Sequence, residues 1–260
     1  MDTRRRQPDQ VRAGGGPRPA APAESLQIAG LVPLSTTDWP DRLTATVYLQ
    51  GCPWRCTYCH NCDLIDPRTP GRVPWAAVEA LLERRAGLLD GVVFSGGEAT
   101  RQAGLADALA RVRRAGFATG LHTAGAYPRR LAALLPLLDW VGLDLKALPA
   151  HYPAVAGPGA RGQDAWDCLD LLVAAGIAHE VRTTVHPGSV AATDALAVAH
   201  AAAARGARCF ALQEARTRGT TPAFALSAKE WDETRWRREW RALVAAVQDL
   251  APLQVTVRPA

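Results

Sequence analysis

Cys52, Cys56 and Cys59 stand in the run Gly51-Cys-Pro-Trp-Arg-Cys-Thr-Tyr-Cys-His-Asn61, a C-x3-C-x2-C spacing. Thiolates brought together on one loop are soft ligands, suited to zinc or to an iron–sulfur cluster. A closed zinc site takes four ligands, ordinarily as two pairs set well apart in sequence. Three cysteines clustered without a distant pair fit a four-iron cluster better, because they hold three irons and leave the fourth open to a substrate. Cys62 is near enough in sequence to complete a tetrahedral zinc knuckle with the other three, so spacing alone keeps zinc as an alternative. Cys168 and Cys209, in a helical and a strand-like stretch, read as small buried hydrophobes.

The elements that must position this loop show in the alternation of short apolar runs with amphipathic stretches. Runs at 44–50, 91–95, 118–123, 140–145, 180–185 and 209–213 read as strands, and 105–115, 128–138, 165–175, 191–204 and 227–250 as helices. Strands alternating with helices of this length mean βαβ units and a parallel sheet. Six such units predict an α/β single domain, a partial, open (β/α)6 version of the eight-unit TIM-like barrel. In barrels of this kind functional residues sit where strands end and loops lead into helices. The three cysteines, Gly96-Gly97-Glu98, His122-Thr-Ala-Gly125 and Asp144-Leu-Lys146 all fall there, with Arg182 inside a strand and Gln213 at the end of one. Asp144 and Lys146 alternate about Leu145, so both face one way. Trp231, Trp236 and Trp240 read as one face of a terminal helix, packed on the barrel.

Composition bounds the class. The chain has 260 residues, 48% of them hydrophobic, enough for one substantial core. Residues 1–25 are rich in Arg, Pro, Gly and Ala and read as a disordered tail, with the folded domain at 26–260. The Arg4-Arg5-Arg6 run has no apolar stretch after it and is not a secretory signal, and no segment is apolar enough to span a membrane. A cytoplasmic protein is expected. The net charge of +5 comes with only two lysines, Lys146 and Lys229, and with no basic stripe interleaved with aromatics, so nucleic-acid binding is not expected.

The cysteine spacing, with Tyr58 before the last cysteine and His60-Asn61 after it, resembles the radical S-adenosylmethionine enzymes. The lead-in Ile28-Ala-Gly-Leu-Val-Pro-Leu-Ser35, then Asp38-Trp-Pro40 and Leu49-Gln-Gly-Cys52, resembles the anaerobic ribonucleoside-triphosphate reductase activating proteins, relatives of the pyruvate formate-lyase activating enzyme. The resemblance implies the same (β/α)6 architecture, one 4Fe–4S cluster on Cys52, Cys56 and Cys59, and S-adenosylmethionine on its open iron. It implies cofactor contacts from Tyr58, from Gly96, Gly97 and Glu98 to the methionine amino group, and from Asp144 and Lys146. Arg182 either pairs with the methionine carboxylate or stabilises the barrel mouth. The activity it implies is reductive cleavage to a 5′-deoxyadenosyl radical. The radical would abstract hydrogen from a glycine in a partner protein, an anaerobic ribonucleotide reductase, with a flavodoxin or ferredoxin as electron donor. No catalytic acid, base or nucleophile is needed beyond cluster and cofactor. The chain departs from the family where Cys62 and Ala99 replace the usual prolines, and where His122-Thr-Ala-Gly125 stands for Asp-Thr-Asn-Gly. Rival readings are a radical enzyme acting on a small molecule (deazapurine biosynthesis type) or a peptide, a scaffold that has lost its chemistry, and a zinc-binding interaction protein.

Overall fold

The protein is described by a computed structural model that covers residues 21–260. An antiparallel pair, β1 (Ile28–Ser35) and β2 (Thr44–Leu49), opens the chain. There follow α1 (Trp75–Arg85), β3 (Gly91–Gly96), α2 (Leu105–Arg114), β4 (Ala118–Thr123), α3 (Pro128–Leu134) and β5 (Trp140–Asp144). After these come α4 (Tyr152–Ala156), α5 (Gly162–Ala174), β6 (Ala178–Val185), α6 (Val190–Ala204) and β7 (Cys209–Glu214). The last elements are α7 (Pro222–Ser227), α8 (Glu233–Gln248) and β8 (Gln254–Arg258). The eight strands lie side by side in sequence order, and every pair from β2 onward is parallel.

Parallel strands need helical crossovers, and those helices cover the sheet. Burial follows: Val47, Val92, Phe94, Leu121, Leu143 and Phe210 are wholly enclosed. Helix starts are written locally. Pro128 begins α3, Ser189 caps α6 through Ala192 N, and Asp232 caps α8 through Arg235 N at 2.9 Å.

The six expected strand–helix units are present, and the structure adds a strand at each edge. β1 is only shallowly buried and carries Gly30 and Pro33, so it shows no clean alternation. β8 is five residues with no buried member. The expected helix at 227–250 is broken. Trp231 lies in the turn before α8 rather than on it, while Trp236 and Trp240 are buried on α8 with ring centroids 6.0 Å apart. Residues 1–20 of the expected tail lie outside the described residues. Its end needs correction, because Ala23–Ser25 form a 3-10 turn in which Ala23 is fully buried. Ala23 N donates to Asp107 Oδ2 at 2.9 Å, and Glu24 pairs with Arg111 at 2.6 Å. Among the described residues no helix is long and apolar enough to cross a membrane.

Candidate active site

The cysteine loop leaves β2 at Gln50, whose buried Nε2 donates to the carbonyls of Asp63 and Asp66, each at 3.0 Å. One side chain thus ties the start of the loop to its return. Gly51 N and Cys52 N donate to Leu64 O (2.8 Å) and Ile65 O (3.0 Å), while Arg55 N donates to Ala156 O at the end of α4 (2.8 Å). So held, Cys52, Cys56 and Cys59 all line a cavity of about 1260 Å³ at the carboxyl ends of the strands. All three are free thiols. Burial pushes Cys52 up to about 12, and raises Cys56 and Cys59 as well. A metal that binds here takes the place of those protons.

Cys62 faces elsewhere, with Sγ 3.4 Å from the Gly219 carbonyl and no share in the cavity wall. Among the described residues no three His, Cys, Asp or Glu side chains are grouped to hold a single ion. A cubane asks for something different, one thiolate on each of three irons. Anaerobically reconstituted Cys62→Ala is therefore expected to bind as much iron as the parent. Lost iron would put Cys62 among the ligands.

Gly96 and Gly97 form the adjoining wall. Gly97 N donates to Leu49 O and Glu98 N to Gly51 O, both at 2.9 Å, which presses the end of β3 against the end of β2. Gly96 has φ +120°, and a Cβ there would collide with Leu49 N and O; one on Gly97 would lie 2.5 Å from Gly51 O. Only glycine tolerates both demands, and the bare backbone faces the cavity.

Glu98 is placed differently from the sequence expectation. It is 1% exposed and stands behind the cavity wall. Its carboxylate accepts from Thr100 Oγ1 (2.5 Å), Thr123 Oγ1 (2.7 Å), Ala124 N (2.8 Å) and Thr100 N (3.1 Å). Burial raises its pKa against those four bonds. The group clasps the end of β4 to that of β3.

Asp144 and Lys146 both line the cavity, paired at 3.0 Å, with Leu145 buried behind them. Burial works to raise the Asp144 carboxyl, but Lys146 and then Arg182 hold it below the usual range. Burial likewise opposes the Lys146 charge, and Asp144 keeps its pKa well above the ordinary value. Lys146 Nζ also lies 5.9 Å from the centre of the Tyr58 ring. The Tyr58 hydroxyl is buried with no partner among the described residues, although its ring borders the cavity. Three thiols, bare glycine backbone, a charged pair and an orphaned hydroxyl on one cavity fit a cluster carrying a polar cofactor.

Arg182 is fixed on several sides. Nε donates to Glu180 (2.7 Å), Nη1 lies 3.0 Å from His122 Nε2, and Nη2 donates to the Asp38 carbonyl (3.3 Å). Glu180 also accepts two bonds from Arg258. His122 Nε2 lies 2.6 Å from the same Asp38 carbonyl, and Trp39 stacks on Trp140 at 5.3 Å. The β1–β2 connection is thereby drawn into the barrel, a role the sequence did not disclose for Asp38 or Trp39. Gln50 was missed too, though a polar residue closing an apolar strand just before the cysteines was a usable signal.

Burial, then the Arg182 charge, push His122 well below the 6.5 of a free imidazole, so it is neutral in the fold. Between 6.5 and that lower value the unfolded chain binds the extra proton, and stability falls as pH falls. Between pH 6.5 and 5 the expected loss is about 2 kcal/mol, at about 1.4 kcal/mol per unit. His122→Gln should flatten this limb in urea titrations between pH 7 and 5; an unchanged slope would refute the assignment.

The Radical SAM superfamily profile matches residues 46–193. A Methanocaldococcus jannaschii protein named as a glycyl-radical enzyme activating enzyme is 30% identical over 168 residues, 62% of this chain and 68% of its own. The pyruvate formate-lyase-activating enzyme of Clostridium pasteurianum is 32% identical over 174 residues, 63% of this chain and 68% of its own. Streptococcus suis SuiB bound to S-adenosylmethionine shares the fold with a TM-score of 0.63 at 15% identity, over 80% of this chain. The matched part is 48% of SuiB, so the chain spans about half of that protein's length. The chain belongs to the radical S-adenosylmethionine superfamily, in its glycyl-radical enzyme activating group, whose cofactors are a 4Fe–4S cluster and S-adenosylmethionine.

Proposed function

We propose that this protein installs a glycyl radical on an anaerobic ribonucleotide reductase, with its electron supplied by a flavodoxin or ferredoxin. One observation carries the reading of a protein substrate. The sheet runs in a line from β1 to β8 with no pairing between the two ends, and both edges wall the cavity, through Val32 and Ser35 on one side and Thr256 and Val257 on the other. The site is open sideways, so a backbone loop can reach it without unfolding. The opening Ile28-to-Asp38 pattern favours a reductase over other glycyl-radical partners.

In this reading Cys52, Cys56 and Cys59 hold the cluster, which with S-adenosylmethionine supplies one-electron-driven hydrogen abstraction. Gly96 and Gly97 offer backbone to the methionine end of the cofactor, and Asp144, Lys146 and Tyr58 offer charge and a hydroxyl. Glu98 positions this wall by holding Thr123 and Ala124. Arg182, held by Glu180 and the Asp38 carbonyl, fixes the cavity wall and keeps charge near Asp144. The test is electron paramagnetic resonance on the reduced protein mixed with S-adenosylmethionine and the reductase of the same cell. A glycyl doublet on the reductase is expected; cofactor cleavage without that doublet would refute the partner.

A further inference from the structure

Charges around the cavity are satisfied internally, with an exception at each lip. Lys146 is taken by Asp144, Arg182 and Arg258 by Glu180, and Glu214 by Arg237 at 2.8 Å. Arg216 and Arg218, between β7 and α7, line the cavity, are exposed, and have no hydrogen-bond or ion-pair partner among the described residues. On the opposite lip Asp41, between β1 and β2, is exposed and equally unpartnered among them. The mouth is thus polarised, positive beside β7 and negative beside β1.

The positive lip is braced on the cysteine loop. Ala215 N donates to Val185 O at 2.8 Å, and the Gly219 carbonyl accepts from Cys62 Sγ. Gly219, at φ +79°, approaches so closely that a Cβ would lie 2.8 Å from His60 O. Two guanidiniums with free donors, held beside the three thiols, are a ready receptor for carboxylates, and such complementarity fixes register as well as attraction.

We propose that Arg216 and Arg218 dock an acidic segment of the partner protein, and so place the residue to be attacked over the cavity. The inference rests on the glycyl-radical reading and names the chemistry that recognises its partner. The probe is a pair of glycine-centred peptides, flanked by aspartates in one and by asparagines in the other. Each is titrated calorimetrically into the reconstituted protein with S-adenosylmethionine. The aspartate peptide is expected to bind about ten-fold more tightly, or about 1.4 kcal/mol. Added salt should shrink the preference, because exposed charges are screened. Arg216→Gln/Arg218→Gln should abolish it, with iron content and circular dichroism checking that the variant is folded and loaded. Equal binding of the two peptides, including none of either, would overturn the proposal. So would a preference that survives in the variant, or tighter binding of a single-stranded RNA decamer than of the acidic peptide. The glycyl doublet is read in a separate experiment, so the docking and the chemistry fail independently.

Discussion

Cys56→Ala is expected to leave the protein folded but unable to hold a stable four-iron cluster, with S-adenosylmethionine cleavage at background. The loop on either side of Cys56 is held by backbone bonds that use no sulfur, Arg55 N to Ala156 O and Thr57 N to Val155 O. Removing the thiol therefore costs little structure. It would cost a cluster held by Cys52, Cys56 and Cys59 one of its three protein ligands, and Cys62 points at Gly219 and is not placed to substitute. Iron analysis, the visible absorbance of the cluster and cofactor cleavage are the measurements. Full iron retention would show that Cys62 or another group completes the site and would reopen the zinc-knuckle geometry.

Glu98→Ala is expected to act on the fold more than on cofactor contact. It would strip acceptors from Thr100 N, Ala124 N and the hydroxyls of Thr100 and Thr123, all buried. A buried donor left without a partner costs about 1–3 kcal/mol. The hydroxyls can turn to other acceptors, but the two amides cannot, so a total of about 3–5 kcal/mol is expected, large for one substitution. Urea unfolding of the cluster-free protein should show a lower midpoint with an unchanged slope. A loss below about 1 kcal/mol together with abolished cofactor binding would return Glu98 to direct contact with the methionine amino group.

The strands from β2 to β7 were legible because both faces of the sheet are buried, one under the helices and the other inside the barrel, where Val93 packs with Trp39 and Trp140, and this favours continuous apolar runs such as Val92-Val-Phe94. The edges escaped for the converse reason. β1 faces solvent at Val32 and Leu34 and contains a proline, and β8 alternates weakly around Val255 and Val257. Within the site, cysteine spacing and the glycine pair are local patterns and could be read directly. The His122–Asp38 and His122–Arg182 contacts join residues 84 and 60 positions apart, and no local pattern encodes them. For Glu98 the position at a strand end was visible, whereas its four hydrogen bonds depend on how β3 and β4 meet.

The cysteine loop takes its shape from the Gln50 amide and from bonds to Leu64, Ile65 and Ala156, none of which involves a thiol. Domains whose ligands order only around a metal unfold when it leaves. Here the loop is expected to keep its shape when a cluster is lost, because these bonds do not depend on one. Refilling a protein emptied by oxygen would then call for reduction, iron and sulfide without passage through an unfolded state, and would free the lifetime of the chain from that of its most fragile part.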